Sequence, residues 1–190
     1  MRFVGIALVL VVIMLEACSP STPAGEPVFV ANSNVSFVWA ASPLKQEDIK
    51  GLMIGNCTDG QRASAESGEV CFTADSSAII TTLVEVNTLI LGSNWSLNSQ
   101  AAIDDIKLRN PKDATIEKLT VDTVSKTVEL DCRVTQRGKP YFMKSVAVYG
   151  RQRRFNFWFS VPDNTQMRSA TIAARMSISI KPEFINGATH

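Results

Sequence analysis

The chain has 190 residues, 45% of them hydrophobic, which is enough to bury one core of ordinary size and too few for two. Lys and Arg number 19 against 18 Asp and Glu, and the resulting formal charge of +1 excludes a net field that would draw in nucleic acid or an anionic surface. The one histidine is the last residue, His190, so the internal imidazole required by Ser-His-Asp, Cys-His and most zinc chemistry is missing.

In chain order, Arg2 precedes an uncharged run from Phe3 to Leu15. Its length suits the core of a signal peptide over residues 1–17. A spanning helix needs about 20 apolar residues, and Glu16 would sit badly in hydrocarbon. Residues 18–27, with Ser19, Pro20, Pro23, Gly25 and Pro27, are polar and Pro-rich and read as a tether.

The segment "LEAC", Leu15 to Cys18, resembles the lipobox of bacterial lipoproteins, with leucine at minus three, a small residue at minus one and then the cysteine; Glu16 departs from that pattern. The resemblance implies cleavage before Cys18 and acylation of its sulfur and new amino group, with palmitate as the label to follow. Each buried methylene contributes about 0.8 kcal/mol, so two or three chains anchor stably where one is marginal. Ser19, in place of aspartate, resembles an outer-membrane sorting signal, which implies a periplasm-facing protein. The alternative is an ordinary secretory signal with a chance cysteine; under both, the mature chain leaves the cytoplasm.

Residues 28–182 read as a single α+β domain. "VFVANSNVSFVWAA" reads as a strand pair or a long irregular strand, and "PLKQEDIKGLM" as a short helix ending near Gly51. "NCTDGQRASAESGEVC" reads as a flexible loop, with Cys57 and Cys71 as the natural disulfide pair in an oxidising compartment. Closing such a loop contributes about 3 kcal/mol on loop-closure entropy. Cys132 alternates with Val128, Leu130 and Val134 on the apolar side of "TVELDCRV" and reads as buried and inert; a pairing through Cys132 is the other option.

"VCFTA" and "AIITTLVEV" are β-branched and strand-like. "LNSQAAIDDIKLRNP" predicts a helix with Ala102, Ile103, Ile106 and Leu108 at helical spacing, Asn98 or Ser99 as cap and Pro111 as stop. "TIEKLTVDTV", "TVELDCRV", "YFMKSVAVY" and "RFNFWFSV" form an antiparallel meander joined by short turns. In its last run Phe155, Phe157, Phe159 and Val161 share one face, and Asn156, Trp158 and Ser160 the other. After Pro162, Asp163 or Asn164 caps a helix predicted to run to about Ile180, with Met167, Ala170, Ala174 and Ile178 on one side; Pro182 stops it and residues 183–190 form a loose tail.

From Ala78 to Pro182 this order of strand, helix, four-stranded meander and final helix resembles the PsbP-like sandwich, including small envelope lipoproteins of the DcrB type. The resemblance implies an antiparallel sheet with helices on both faces.

Groups for catalysis are sparse. Asp104 and Asp105 diverge by about 100° on a helix and read as a solvated face. "TADSSA" lacks the alternating acids of a calcium loop and reads as a turn, and no phosphate-binding glycine loop is present. The expectation is therefore no catalytic residue, cofactor or metal. For binding, Trp158 stands out, since either a helix covers its face or it is exposed. Arg151, Arg153 and Arg154 in "YGRQRRF" form either a basic patch or a solvated hairpin end. The function expected is that of a non-enzymatic lipoprotein, attached to membrane lipid through Cys18, that binds or stabilises another envelope protein. The alternative is an immunity or exclusion lipoprotein that inhibits a toxin or phage factor in the periplasm.

Overall fold

The computed structural model describes residues 27–30, 35–48, 65–73, 75–87 and 97–183. Cys18, Cys57, the signal peptide, most of the tether and the tail after Glu183 lie outside the described residues. The most strongly apolar of the period-two runs, β9 (Arg153–Pro162), is the middle strand of a seven-stranded antiparallel sheet. It takes that position because Phe155, Phe157 and Phe159 are all buried to 1% exposure or less, which requires strands on both sides and a layer above.

The other strands are β3 (Leu44–Asp48), β4 (Ala65–Thr73), β5 (Ile79–Val86), β6 (Thr115–Asp122), β7 (Thr127–Gln136) and β8 (Lys139–Tyr149), in the spatial order β3-β4-β5-β9-β8-β7-β6. Helix α1 (Ser99–Leu108) follows β5, and α2 (Thr165–Met176) follows β9. A second small sheet joins β1 (Pro27–Val30), β2 (Val35–Val38) and β10 (Ser179–Ile180) in the order β1-β2-β10. The meander β6 to β9 is thus laid beside β5 only after α1 has crossed, which makes β5–β9 a long-range pair.

Alternation along the strands feeds two separate cores. On one face, Phe155, Phe157, Phe159, Val146 and Ile80 pack with Phe37 and Trp39 of the small sheet's side and with Ala170 and Ala174 of α2. Phe37 meets Phe159 edge-on at 5.8 Å between centroids. On the opposite face, Ala102 and Ile106 of α1 pack on Val128, Leu130, Ala147 and Tyr149. The expected α+β sandwich with helices on both sides of an antiparallel sheet is the observed arrangement.

Local chemistry explains the junctions. Asn98 and Asn164 cap α1 and α2 by accepting from the N–H groups of Ala101 and Met167, as the sequence suggests. Arg137 (φ 52°) and Gly138 (φ 75°) make the two-residue β7–β8 turn, the paired positive-φ geometry that matches strand twist and favours glycine.

Three expectations are corrected. Leu44–Asp48, read as the start of a helix, is edge strand β3: Leu44 is buried in the core and the segment pairs with β4, so tertiary pairing overrides the helix propensity of Lys, Gln and Glu. The loop expected up to Cys71 has become β4 from Ala65 onward, held between β3 and β5. The final helix ends at Met176, not near Ile180. Ser177 accepts from the Val38 N–H at 2.7 Å and donates to the Ala174 carbonyl at 2.8 Å, drawing the chain to β2, where Ser179 and Ile180 pair with Ser36 and Val35.

Candidate functional site

Among the described residues, the α1 side of the sheet divides into a buried polar end and an apolar end that α1 does not cover. At the polar end, Tyr149, Arg154 and Glu85 project side by side from β8, β9 and β5. Glu85 is fully buried and accepts from Arg109 at 2.9 Å, Arg154 at 2.8 Å and Asn156. Asp105 of α1 accepts from Arg109 at 2.9 Å and Arg154 at 2.7 Å. Two carboxylates are thereby matched by two guanidinium groups. Burial by itself disfavours the charged Arg154, yet the charges of Glu85 and Asp105 outweigh it and raise its pKa. Burial, reinforced by Asp105, pushes the Tyr149 phenol up to about 12. Every charge here has a partner, and the cluster fastens α1 to the central strands.

One step toward the other end, Asn110 just past α1 accepts from the Ser145 hydroxyl at 2.7 Å and donates to the Ile106 carbonyl. Cys132 lies 4.0 Å from the same Asn110 oxygen, and burial first, then the charges of Asp131 and Glu117, push its thiol up to about 11, so it stays protonated. There the helix ends. Trp158 pairs with Ser145 and Thr81, and the next cross-strand row is Met143, Ser160 and Ile79, followed by Tyr141 and Pro162. Trp158, Met143, Tyr141 and Pro162 are half-buried, and Ile79 is 40% exposed. This strip of aromatic, methionine and aliphatic side chains on rigid central strands is the candidate binding surface.

The arginines of the β8–β9 turn do not form one patch. Arg154 turns inward to Glu85 and Asp105, Arg153 is half-buried, and Arg151 is exposed. The turn itself is braced by Asn87, which donates to the Gly150 carbonyl at 2.6 Å. Asp105 likewise corrects the expected solvated helix face: Asp104 faces out to Gln100, while Asp105 faces the arginines. Past Thr73, residues 75–78 form a turn, with Asp75 accepting from Thr73 and Ser77, which hold its carboxyl down to about 2. Cys71 is buried in the α2-side core, and its proposed partner Cys57 lies outside the described residues.

On the α2 face, an open cleft of about 370 Å³ is lined by Ser125, Thr127, Val146, Val148, Arg175, Ile178, Ile180 and Pro182. Arg175 is committed to Glu129. Among the described residues, no helix is long and apolar enough to cross a membrane, and no three His, Cys, Asp or Glu side chains are grouped to hold a metal ion. Sequence reasoning passed over Glu85, although a carboxylate inside the β-branched run "IITTLVEV" signals a buried partner. It also missed Met143 and Ile79, because their adjacency to Trp158 depends on register.

No protein-family model and no curated protein matches the sequence. Among solved structures, the chain is similar to cyanobacterial PsbP (CyanoP) from Synechocystis, at 10% identity and a TM-score of 0.54, over 82% of this chain and 91% of that one. A protein from Bacteroides thetaiotaomicron matches at 10% identity and a TM-score of 0.45, over 84% of this chain and 50% of its own. The fold is PsbP-like.

Proposed function

We propose that this chain is a bacterial lipoprotein, lipid-anchored through Cys18 and placed at the outer membrane facing the periplasm, whose domain binds or stabilises another envelope protein without catalysis. The observation that carries the binding role is the half-buried strip around Trp158. Aromatic anchors supply most of the energy of protein interfaces, and methionine adapts to the partner's contour. Anchoring supports the same role, since confinement to a membrane raises the effective concentration near a membrane partner without adding contacts. The "LEAC" segment, the Pro-rich tether and Ser19 support the location.

Two measurements test this reading. Labelled palmitate should enter the purified protein and be lost on Cys18→Ala, with the variant moving to the soluble fraction. A pull-down from native membranes should recover a stoichiometric partner whose affinity falls about 30-fold or more on Trp158→Ala, the loss typical of a central aromatic anchor. Recovery of no stoichiometric partner, or capture indifferent to Trp158, overturns the binding role.

A further inference from the structure

Among the described residues strand β6 ends the seven-stranded sheet, so its outer edge offers backbone donors and acceptors for a further strand. Edge strands usually avoid self-association through bulges and charge, and β6 has both. Its register to β7 shifts at Glu117, between Ile116 and Lys118, and Lys118 and Asp122 alternate with the inward-leaning Leu119 and Val121. The arrangement of those charges is self-complementary, however. Lys118 is exposed, and Asp131, the acid across from it on β7, is taken by Lys144 at 2.7 Å. Asp122 accepts at Oδ1 from the N–H groups of Val124 and Ser125, and the Ser125 side chain also hydrogen-bonds its carboxylate.

We infer that β6 is a self-pairing edge: two copies of this chain join β6 to β6, antiparallel, about a two-fold axis through Thr120. In that register Lys118 of each copy lies opposite Asp122 of the other, giving two symmetric ion pairs. On the α1 side of the sheet Leu119 lies opposite Val121, again twice, and Thr120 meets its own counterpart. An axis through a residue keeps equivalent faces of the two sheets continuous, and moving it to Leu119 or Val121 loses both charge pairs. The bulge at Glu117 then acts as a stop that limits pairing to the stretch from Lys118 to Asp122. The Trp158 strip lies on the central strands of the sheet, away from this edge, so a dimer leaves it open to a partner.

The test uses the full chain. Sedimentation over a concentration series should show a monomer–dimer equilibrium, and Lys118→Asp and Asp122→Lys should each raise the dissociation constant about tenfold or more, since each removes two cross-strand pairs and adds repulsion. The double swap should restore the dimer. Thr120→Cys, oxidised in air, should give a dimer with its disulfide mapped to position 120 by mass spectrometry, and Lys118→Cys should not. A chain that stays monomeric throughout with no link at position 120 overturns the proposal, as does a dimer indifferent to both single charge reversals or unrestored by the swap.

Discussion

The two faces of the central sheet are built on different physics. The α2 face is packed mainly by shape: three phenylalanines of β9 interlock with Phe37, Trp39 and the small residues of α2, while its charge is carried by buried Lys144, paired with Glu129 and Asp131, and by Arg168 and Arg175, which tie the helix to β6 and β7. The α1 face is closed at one end by charge, through Glu85, Arg154, Asp105 and Arg109, and left open at the other around Trp158. Close apolar packing seals the α2 face over the three phenylalanines and leaves a cleft beside Val146 and Val148. The polar cluster instead holds α1 at one place and direction, which leaves the far end of that face unsealed and rigid, the condition for a preformed binding surface.

The comparison breaks most visibly through the α2-side core. Phe157→Ala removes a ring that is 1% exposed and should cost about 3–5 kcal/mol, read as a lowered urea midpoint with little change in slope. Next in size, Glu85→Ala leaves two buried guanidinium groups short of a counter-charge and should cost about 3 kcal/mol or more. The pair of changes Glu85→Leu and Arg154→Met should recover a large part of that loss, because it removes both buried charges together. If the double variant is as unstable as Glu85→Ala, the cluster contributes through something other than charge matching.

How much of this was legible in the sequence follows the same division. The α2 face could be read from Phe155, Phe157 and Phe159, because period two alone tells which residues share a face. The helix caps and the β7–β8 turn could be read too, since each depends on one or two local residues. What could not be read depends on register between distant strands. Nothing local places Glu85 beside Arg154, or Ile79 in the row of Met143, since β5 and β9 are separated by α1 and three strands of the meander. Leu44–Asp48 shows the converse, where local helix propensity was legible and lost to long-range pairing.

Between the two faces in strength stands the margin of α2. Arg168 donates to both oxygens of Glu117 and to Asp163, and lies 4.3 Å over the Phe142 ring; Arg133 reaches the same two acids. Hydrogen bonds from Arg168 are the main cause holding Glu117 and Asp163 below the usual carboxylate range, and Arg175 with Lys144 does the same for Glu129 against the effect of burial. A carboxylate with a folded pKa below its unfolded one adds stability above the unfolded value, near pH 4, and loses it as pH falls through the folded value. Stability should therefore be flat from pH 7 to about 5 and decline below about 4.5. Arg168→Ala should cost about 1–2 kcal/mol at pH 7, from lost ion pairs and ring contact together, and should blunt the acid decline. An equally steep decline in that variant assigns the acid response to other carboxylates.

The smallest expected effect on stability is the most informative about function. Trp158 sits one residue from Phe157 on the same strand, so the two substitutions sample the two faces at one level of the sheet. Because the indole is half-buried and its neighbours Met143 and Ile79 are partly solvated already, Trp158→Ala should cost only about 1 kcal/mol in folding, well below the value for a sealed aromatic. Capture of the partner should nevertheless fall sharply, which separates a surface kept for binding from one kept for folding. A folding loss from Trp158→Ala equal to that from Phe157→Ala means the strip is sealed in solution, and the contrast between the faces then disappears.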